Sequence, residues 1–307
     1  MSRGVLLTII GLTMGAAGCG GDTPERAMAR GDAHKDSGKY AAAAIEYRNA
    51  IKARPQWAEA WRKLGDAYSE QGRSEDAYTA YYNAVELDSA DVRSRVQAGR
   101  VLLSAGRVND ALTSARDAVD RDAGDADAHE LAARALIRFH RYDEAIAELV
   151  PVLSNAPRPS AYAAFGEARL GEGNIAAAEA AFRAGVSSAP ESVEAHVALA
   201  QFFERCGRGS DAERELTALV GAYPSSELAN RSLASLYIAD GRRGLAEPYL
   251  RAAAAQATQK YRSAFALADF YVADHREADA RQVLEAAANG PLADIAKARL
   301  AALNATP

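Results

Sequence analysis

At 307 residues the chain is long enough for two ordinary globular domains. Hydrophobic residues make up 49% and aromatics only 7%, which excludes a large aromatic core and leaves much of the apolar volume to alanine, the strongest helix former. The net charge of −5 sits on a mixed-sign background with no basic stripe interleaved with aromatics, so a nucleic-acid-binding surface is excluded.

Met1–Gly18 has the layout of a secretory signal: a basic start at Arg3, an apolar run from Val5 to Met14, and the small residues Gly15-Ala16-Ala17-Gly18. The apolar run is short for a spanning helix. Cys19 follows directly. The string Ala16-Ala17-Gly18-Cys19 resembles the lipobox of bacterial lipoproteins, where leucine more often stands in the place of Ala16. That resemblance implies an acylated Cys19 at the start of the mature chain, and several acyl chains make a stable membrane anchor where one does not. The plain alternative is a secretory signal followed by an incidental cysteine. Gly20 stands where an aspartate commonly retains lipoproteins in the inner membrane, so the resemblance implies an outer-membrane, periplasm-facing location. Residues 19–23 then form a short tether. The other cysteine, Cys206, falls at a turn between two helices and reads as a small, partly buried side chain.

From Pro24 onward a pattern recurs about every 34 residues, in units 24–57, 58–91, 92–125, 126–158, 159–192, 193–226, 227–260 and 261–290. The clearest copy, Ala58–Asp91, carries Trp61, Leu64, Gly65 and Tyr68, then Ala77, Tyr81 and Ala84. The eighth position is always small: Gly31, Gly65, Gly99, Ala133, Gly166, Ala200, Ala234 and Ala268. The twentieth is always alanine, from Ala43 and Ala77 to Ala246 and Ala280, where two helices of a hairpin would cross closely. Large residues recur at the twenty-fourth (Tyr47, Tyr81, Leu149, Phe182, Leu216, Leu250, Leu284), and Gly38, Gly72, Gly106, Gly173, Gly207 and Gly241 mark turns inside hairpins. Pro55, Pro157, Pro190 and Pro224 end the units. Pro151 should kink the second helix of the fourth unit, and Pro248 should interrupt the second helix of the seventh or delay its start. The segment Leu292–Leu303, with Leu292, Ile295, Leu300 and Leu303 on one face, fits a final helix that covers the exposed edge of the last hairpin.

This pattern resembles the tetratricopeptide repeat (TPR). The resemblance implies an all-α, right-handed superhelix of about eight helical hairpins over residues 24–290, with a capping helix and tail in 291–307. It also implies a concave groove lined by the first helix of each hairpin, through its second, fifth, ninth and twelfth positions, which would take protein partners.

A catalytic site needs titratable groups that converge in space. His34, His129, His140, His196 and His275 fall in five different units, and no zinc-protease, nucleophile-elbow, phosphate-loop or paired-cysteine motif occurs. No enzymatic activity, cofactor, metal or small-molecule substrate is expected. His129 and His196 stand at the fourth position, where Trp61 stands in the clearest unit, and read as packed histidines with a polar partner. On the inner face, Arg62, Arg100, Arg134 and Arg138 form a basic cluster suited to carboxylates or phosphates of a ligand. The alternative is internal pairing, Glu130 with Arg134 and Asp66 with Arg100. Gln201, Arg231 and Phe265 extend the candidate groove, and Val197, Leu228, Ile238, Phe265 and Val272 make its C-terminal part more apolar. The carboxylate clamp of chaperone-binding TPRs needs asparagine at the ninth position, and none occurs. Lipid-anchored TPR proteins similar to this one serve type IV pilus assembly, exopolysaccharide export and outer-membrane protein insertion. The Tyr40–Pro55 layout is most similar to the export type. The expected function is therefore a scaffold for an envelope machine, held to the membrane through Cys19, with glycan or peptidoglycan binding as the alternative.

Overall fold

The computed structural model describes residues 23–256, 260–288 and 293–305, so the proposed signal, Cys19 and Leu292 lie outside the described residues. The described chain is a succession of helical hairpins. The first four are α1 (Pro24–Asp36) with α2 (Tyr40–Ala53), α3 (Ala58–Glu70) with α4 (Ser74–Leu87), α5 (Val92–Ser104) with α6 (Val108–Arg121), and α7 (Ala126–Arg138) with α8 (Tyr142–Asn155). The next four are α9 (Pro159–Gly171) with α10 (Ile175–Ser188), α11 (Val193–Arg205) with α12 (Gly209–Ala222), α13 (Glu227–Ala239) with α14 (Arg243–Gln256), and α15 (Lys260–Ala273) with α16 (Glu277–Ala287). A last helix, α17 (Ala293–Ala305), follows.

Local chemistry sets these boundaries. First helices begin on side-chain caps: the side chains of Asp91, Asp125, Ser192 and Ser226 accept from the backbone N–H three residues on. They end in a turn whose αL residue is followed by an N–H that returns five residues back, as Arg73 N–H to the Tyr68 carbonyl (2.9 Å). Glycine holds the αL position in six hairpins, but His140 (φ 58°) and His275 (φ 56°) hold it in the fourth and eighth. Pro248 neither interrupts its helix nor delays its start. α8 runs through Pro151 and α14 starts on time at Arg243 and runs through Pro248. Both prolines are exposed, so the carbonyls they free can turn to water.

Packing follows the repeat. All eight twentieth-position alanines are 0% exposed. At the eighth position the choice of residue is explained by its neighbour at the twenty-fourth. A Cβ on Gly31, Gly65 or Gly166 would lie 2.5, 2.6 or 2.7 Å from the rings of Tyr47, Tyr81 and Phe182. Where the twenty-fourth residue is leucine (Leu149, Leu216, Leu250, Leu284), the eighth is alanine. The third unit keeps the rule by borrowing: Ala115 is small there, and Leu131 of the next unit comes within 2.5 Å of a Cβ on Gly99. The apolar interior is thus a chain of clusters along the array and not one central core.

Successive first helices touch, α5 with α7, α7 with α9, α9 with α11 and α11 with α13, while successive second helices make no comparable contact. First helices therefore form the crowded inner layer, and second helices splay apart on the outside. α17 packs on α16 through Ala296, Leu300 and Leu303. Its buried face is rotated from the expected one, since Ile295 is 47% exposed.

Candidate inner-face site and its comparisons

In the first four hairpins the inner face is committed to ion pairs that cross from unit to unit. Lys63 reaches Asp32 (2.8 Å), Arg93 lies 3.7 Å from Asp66, and Arg100 bonds Asp127 (2.6 Å). The ninth-position carboxylates of the first two units are also held from behind, by the hydroxyls of Tyr47 on Asp32 and Tyr81 on Asp66 (both 2.9 Å). Burial pushes both phenols upward, and these carboxylates reinforce the shift. For Asp32 burial opposes ionisation, but hydrogen bonds from Lys63 and Tyr47 outweigh it and hold its carboxyl below the usual range.

The pairing differs from that expected on sequence. Glu130 is buried and takes Arg158 and the Ser160 hydroxyl (3.1 Å) instead of Arg134. Arg134 donates to the Ser160 carbonyl (3.2 Å), and Asp66 faces Arg62 and Arg93 instead of Arg100. Arg62 also lies 3.8 Å from Asp91. Of the arginine cluster, Arg138 alone is exposed with no ion pair among the described residues. Arg158 escaped notice because it closes the fourth unit in the linker before α9, away from the first-helix positions that line the groove.

The last four hairpins are stitched elsewhere. The arginine that opens the second helix stacks on an aromatic of its own hairpin: Arg208 on Phe203 (4.4 Å), Arg242 on Tyr237 (4.8 Å) and Arg276 on Tyr271 (4.4 Å). Each reaches back to a glutamate of the preceding second helix, Glu179 (2.7 Å), Glu213 (2.9 Å) and Glu247 (2.8 Å). The earlier units carry Ala44, Tyr78, Leu112 and Ile146 at that glutamate's position, so this seam cannot form there. With that seam at the turns, the inner face of hairpins five to eight is more open, crossed by the Ser263 hydroxyl on Glu227 and by Arg299 on Asp269. Gln201 and Ser235 are exposed, and Glu167 and Glu204 make no ion pair among the described residues. Partial burial and the Asp240 carboxylate push the Glu204 carboxyl upward. Val272 is 42% exposed, and Leu170, Leu228 and Ile238 are half-buried against the interior.

Three expected groove residues of this half are not free. Val197 is buried, and Phe265 is buried beneath Arg299 of α17 (4.7 Å), which also bonds Asp269 (2.7 Å). Arg231 pairs with Glu227 (3.5 Å).

The fourth position has a structural task that five different residues perform. Trp61, Arg95, His129, His196 and Asn230 each reach the carbonyl six residues back, of Pro55, Ser89, Ala123, Pro190 and Pro224, at 2.9 to 3.1 Å. This ties each hairpin to the linker before it. For His129 the second nitrogen meets Glu148 (2.6 Å), so both nitrogens face acceptors. Burial disfavours the imidazolium, but these acceptors outweigh it and the pKa rises.

Tetratricopeptide-repeat family models match residues 31–72, 58–91, 102–166 and 169–236. No curated protein matches the chain in sequence. Among solved structures, a tetratricopeptide repeat protein from Parabacteroides merdae ATCC 43184 is similar over 80% of this chain and 98% of its own, with 16% identity and a TM-score of 0.61. PilW, described as a widely conserved type IV pilus biogenesis factor, is similar over 67% of this chain and 96% of its own, with 15% identity and a TM-score of 0.56. A chain of the APC/C hetero-tetramer Cut9-Hcn1 is similar over 70% of this chain and 43% of its own, with 16% identity and a TM-score of 0.57. At these identities the likeness is one of fold.

Proposed function

We propose that this chain, which belongs to the tetratricopeptide-repeat family, is a lipid-anchored scaffold that holds a protein segment against the inner face of hairpins five to eight. One observation carries the reading: cross-hairpin ion pairs line the inner face of the first four hairpins, whereas in the last four Glu167 and Glu204 make no ion pair among the described residues and Gln201 and Ser235 are exposed. An open strip that combines half-buried Leu170, Leu228 and Ile238 with unpaired Glu167 and Glu204 suits an amphipathic segment with basic residues on its polar side.

Anchoring through an acylated Cys19 would place the array on a membrane facing the periplasm, and Gly20 favours the outer membrane. The fold likeness to a pilus biogenesis factor supports a role in assembling an envelope export or secretion machine, of exopolysaccharide or type IV pilus type. Photo-crosslinking residues placed at Gln201, Ser235 and Val272 in the membrane-bound protein should trap an envelope protein that the same probes at Arg62 and Arg100 do not. Equal capture at all five positions, or none, would refute the site. Separately, Cys19→Ala should release the protein from the membrane fraction; retention would refute the anchor and leave the inner-face site standing.

A further inference from the structure

The splaying of second helices leaves troughs on the outer face, each floored by a first helix. The trough between α2 and α4 is floored by Trp61, Leu64 and Tyr68, and that between α8 and α10 by Tyr162, Phe165 and Arg169. The trough between α4 and α6 differs in chemistry. It encloses about 340 Å³, within the range of ligand clefts, and α5 supplies Arg95 to its floor.

Arg95 has more donors than the fold uses. One terminal nitrogen serves the linker carbonyl of Ser89 (3.1 Å), and the other lies 3.7 Å from Asp117. Its Nε is buried without a hydrogen-bond partner. That nitrogen has essentially no accessible surface, so a ligand in the trough would meet the terminal nitrogens of Arg95 and not its Nε. Along one wall, Tyr78 and Tyr82 stand with ring centroids 6.2 Å apart, and Tyr82 is 50% exposed. The Arg107 guanidinium lies over Tyr78, while its own charge is taken by Asp110 (2.7 Å). The hydroxyls of Thr113 and Ser114 donate to the Asn109 and Arg95 carbonyls and keep lone pairs free to accept.

Charge selects among ligands. Arg95 and Arg107 face Glu86, Asp110 and Asp117, so the lining is slightly negative and densely supplied with both donors and acceptors. An anion gains nothing from such a site, because each arginine already faces a carboxylate. A purely apolar segment would strand the polar lining. A neutral polyhydroxylated ring satisfies both demands: its hydroxyls donate to carboxylates and accept from guanidinium, and its C–H face lies on the electron-rich face of an exposed tyrosine. We propose that the trough between α4 and α6 is a binding site for a neutral oligosaccharide segment, on the face opposite the protein-binding strip.

The test is calorimetric titration, with saturation-transfer NMR, of the full mature chain with maltotriose, cellotriose and chitotriose, and with trigalacturonate as the anionic counterpart. At least one neutral trisaccharide should bind with a dissociation constant of about 1 mM or tighter. Tyr82→Ala, an exposed change that leaves the fold intact, should weaken it about tenfold, a loss of roughly 1.4 kcal/mol. Arg95→Gln should weaken it as well, with circular dichroism checking the fold. Ile45→Asp in the neighbouring trough should leave binding unchanged. The proposal is overturned if no neutral trisaccharide binds, if Tyr82→Ala binds as tightly as wild type, or if trigalacturonate binds at least as well as the neutral sugars.

Discussion

The two halves of the array solve one problem, fastening each hairpin to the next, with opposite placements of charge. In α1–α8 the fastening crosses the inner face through Lys63–Asp32, Arg93–Asp66, Arg100–Asp127 and Arg158–Glu130. In α9–α16 it moves to the turns, through Arg208–Glu179, Arg242–Glu213 and Arg276–Glu247. The lesson is that a groove's ability to bind is decided by where the scaffold spends its charges. A surface arginine already bonded to a carboxylate offers little to a partner, because the pair must be broken first.

The largest test of this contrast concerns packing beneath the inner face. Gly65→Ala puts a methyl 2.6 Å from the Tyr81 ring and should destabilise α3 and α4 by about 1–3 kcal/mol. In a Tyr81→Leu background the same change should be close to neutral, reproducing the alanine–leucine pairing of the later units; hydrogen exchange resolved by helix reads both. An additive double mutant would break the size-matching rule. Next in size, Tyr81→Phe removes the hydroxyl from Asp66 and should cost about 1 kcal/mol, with the loss confined to the first three hairpins.

A smaller effect of opposite sign is expected at the turns. His275→Gly relieves a left-handed backbone and should stabilise by about 0.5–1 kcal/mol in a thermal melt. His140→Gly should gain less, since it sacrifices the contact of the His140 ring with the Tyr142 hydroxyl (2.6 Å). Smallest is the pH response, which should differ along the array. Asp32 has a folded pKa below its unfolded value near 3.8, so its contribution is present above that pH and lost as acid titrates the folded group. His129 has a raised folded pKa, so its contribution is full below about pH 6.5 and drains away as pH rises through the folded value. His129→Gln should lessen the pH dependence of stability on the neutral side alone, and Asp32→Asn should lessen it on the acid side alone, where other paired carboxylates such as Glu179 and Glu247 still contribute.

Much of the architecture was legible in the 34-residue spacing, because a repeated unit must place the same small residue at the same crossing every time. Hairpin boundaries, the buried alanines and the glycine turns follow from that constraint. The candidate groove was legible only as positions. Periodicity says that Arg100 and Arg134 recur on one face, but Asp127 and the Ser160 carbonyl come from the next hairpin, and an inter-unit distance is not encoded in spacing. Phe265 illustrates the same limit, since α17 covers it from outside the repeat.

The sequence by itself determined a helical array of this length and its internal crossings, since helix formation and the choice of glycine or alanine depend on residues close along the chain or one period away. Tertiary structure alone decided which charges are spent on the scaffold and which face stays open. Pairing depends on angles and distances between neighbouring hairpins, and a few ångströms there separate an occupied carboxylate from a free one.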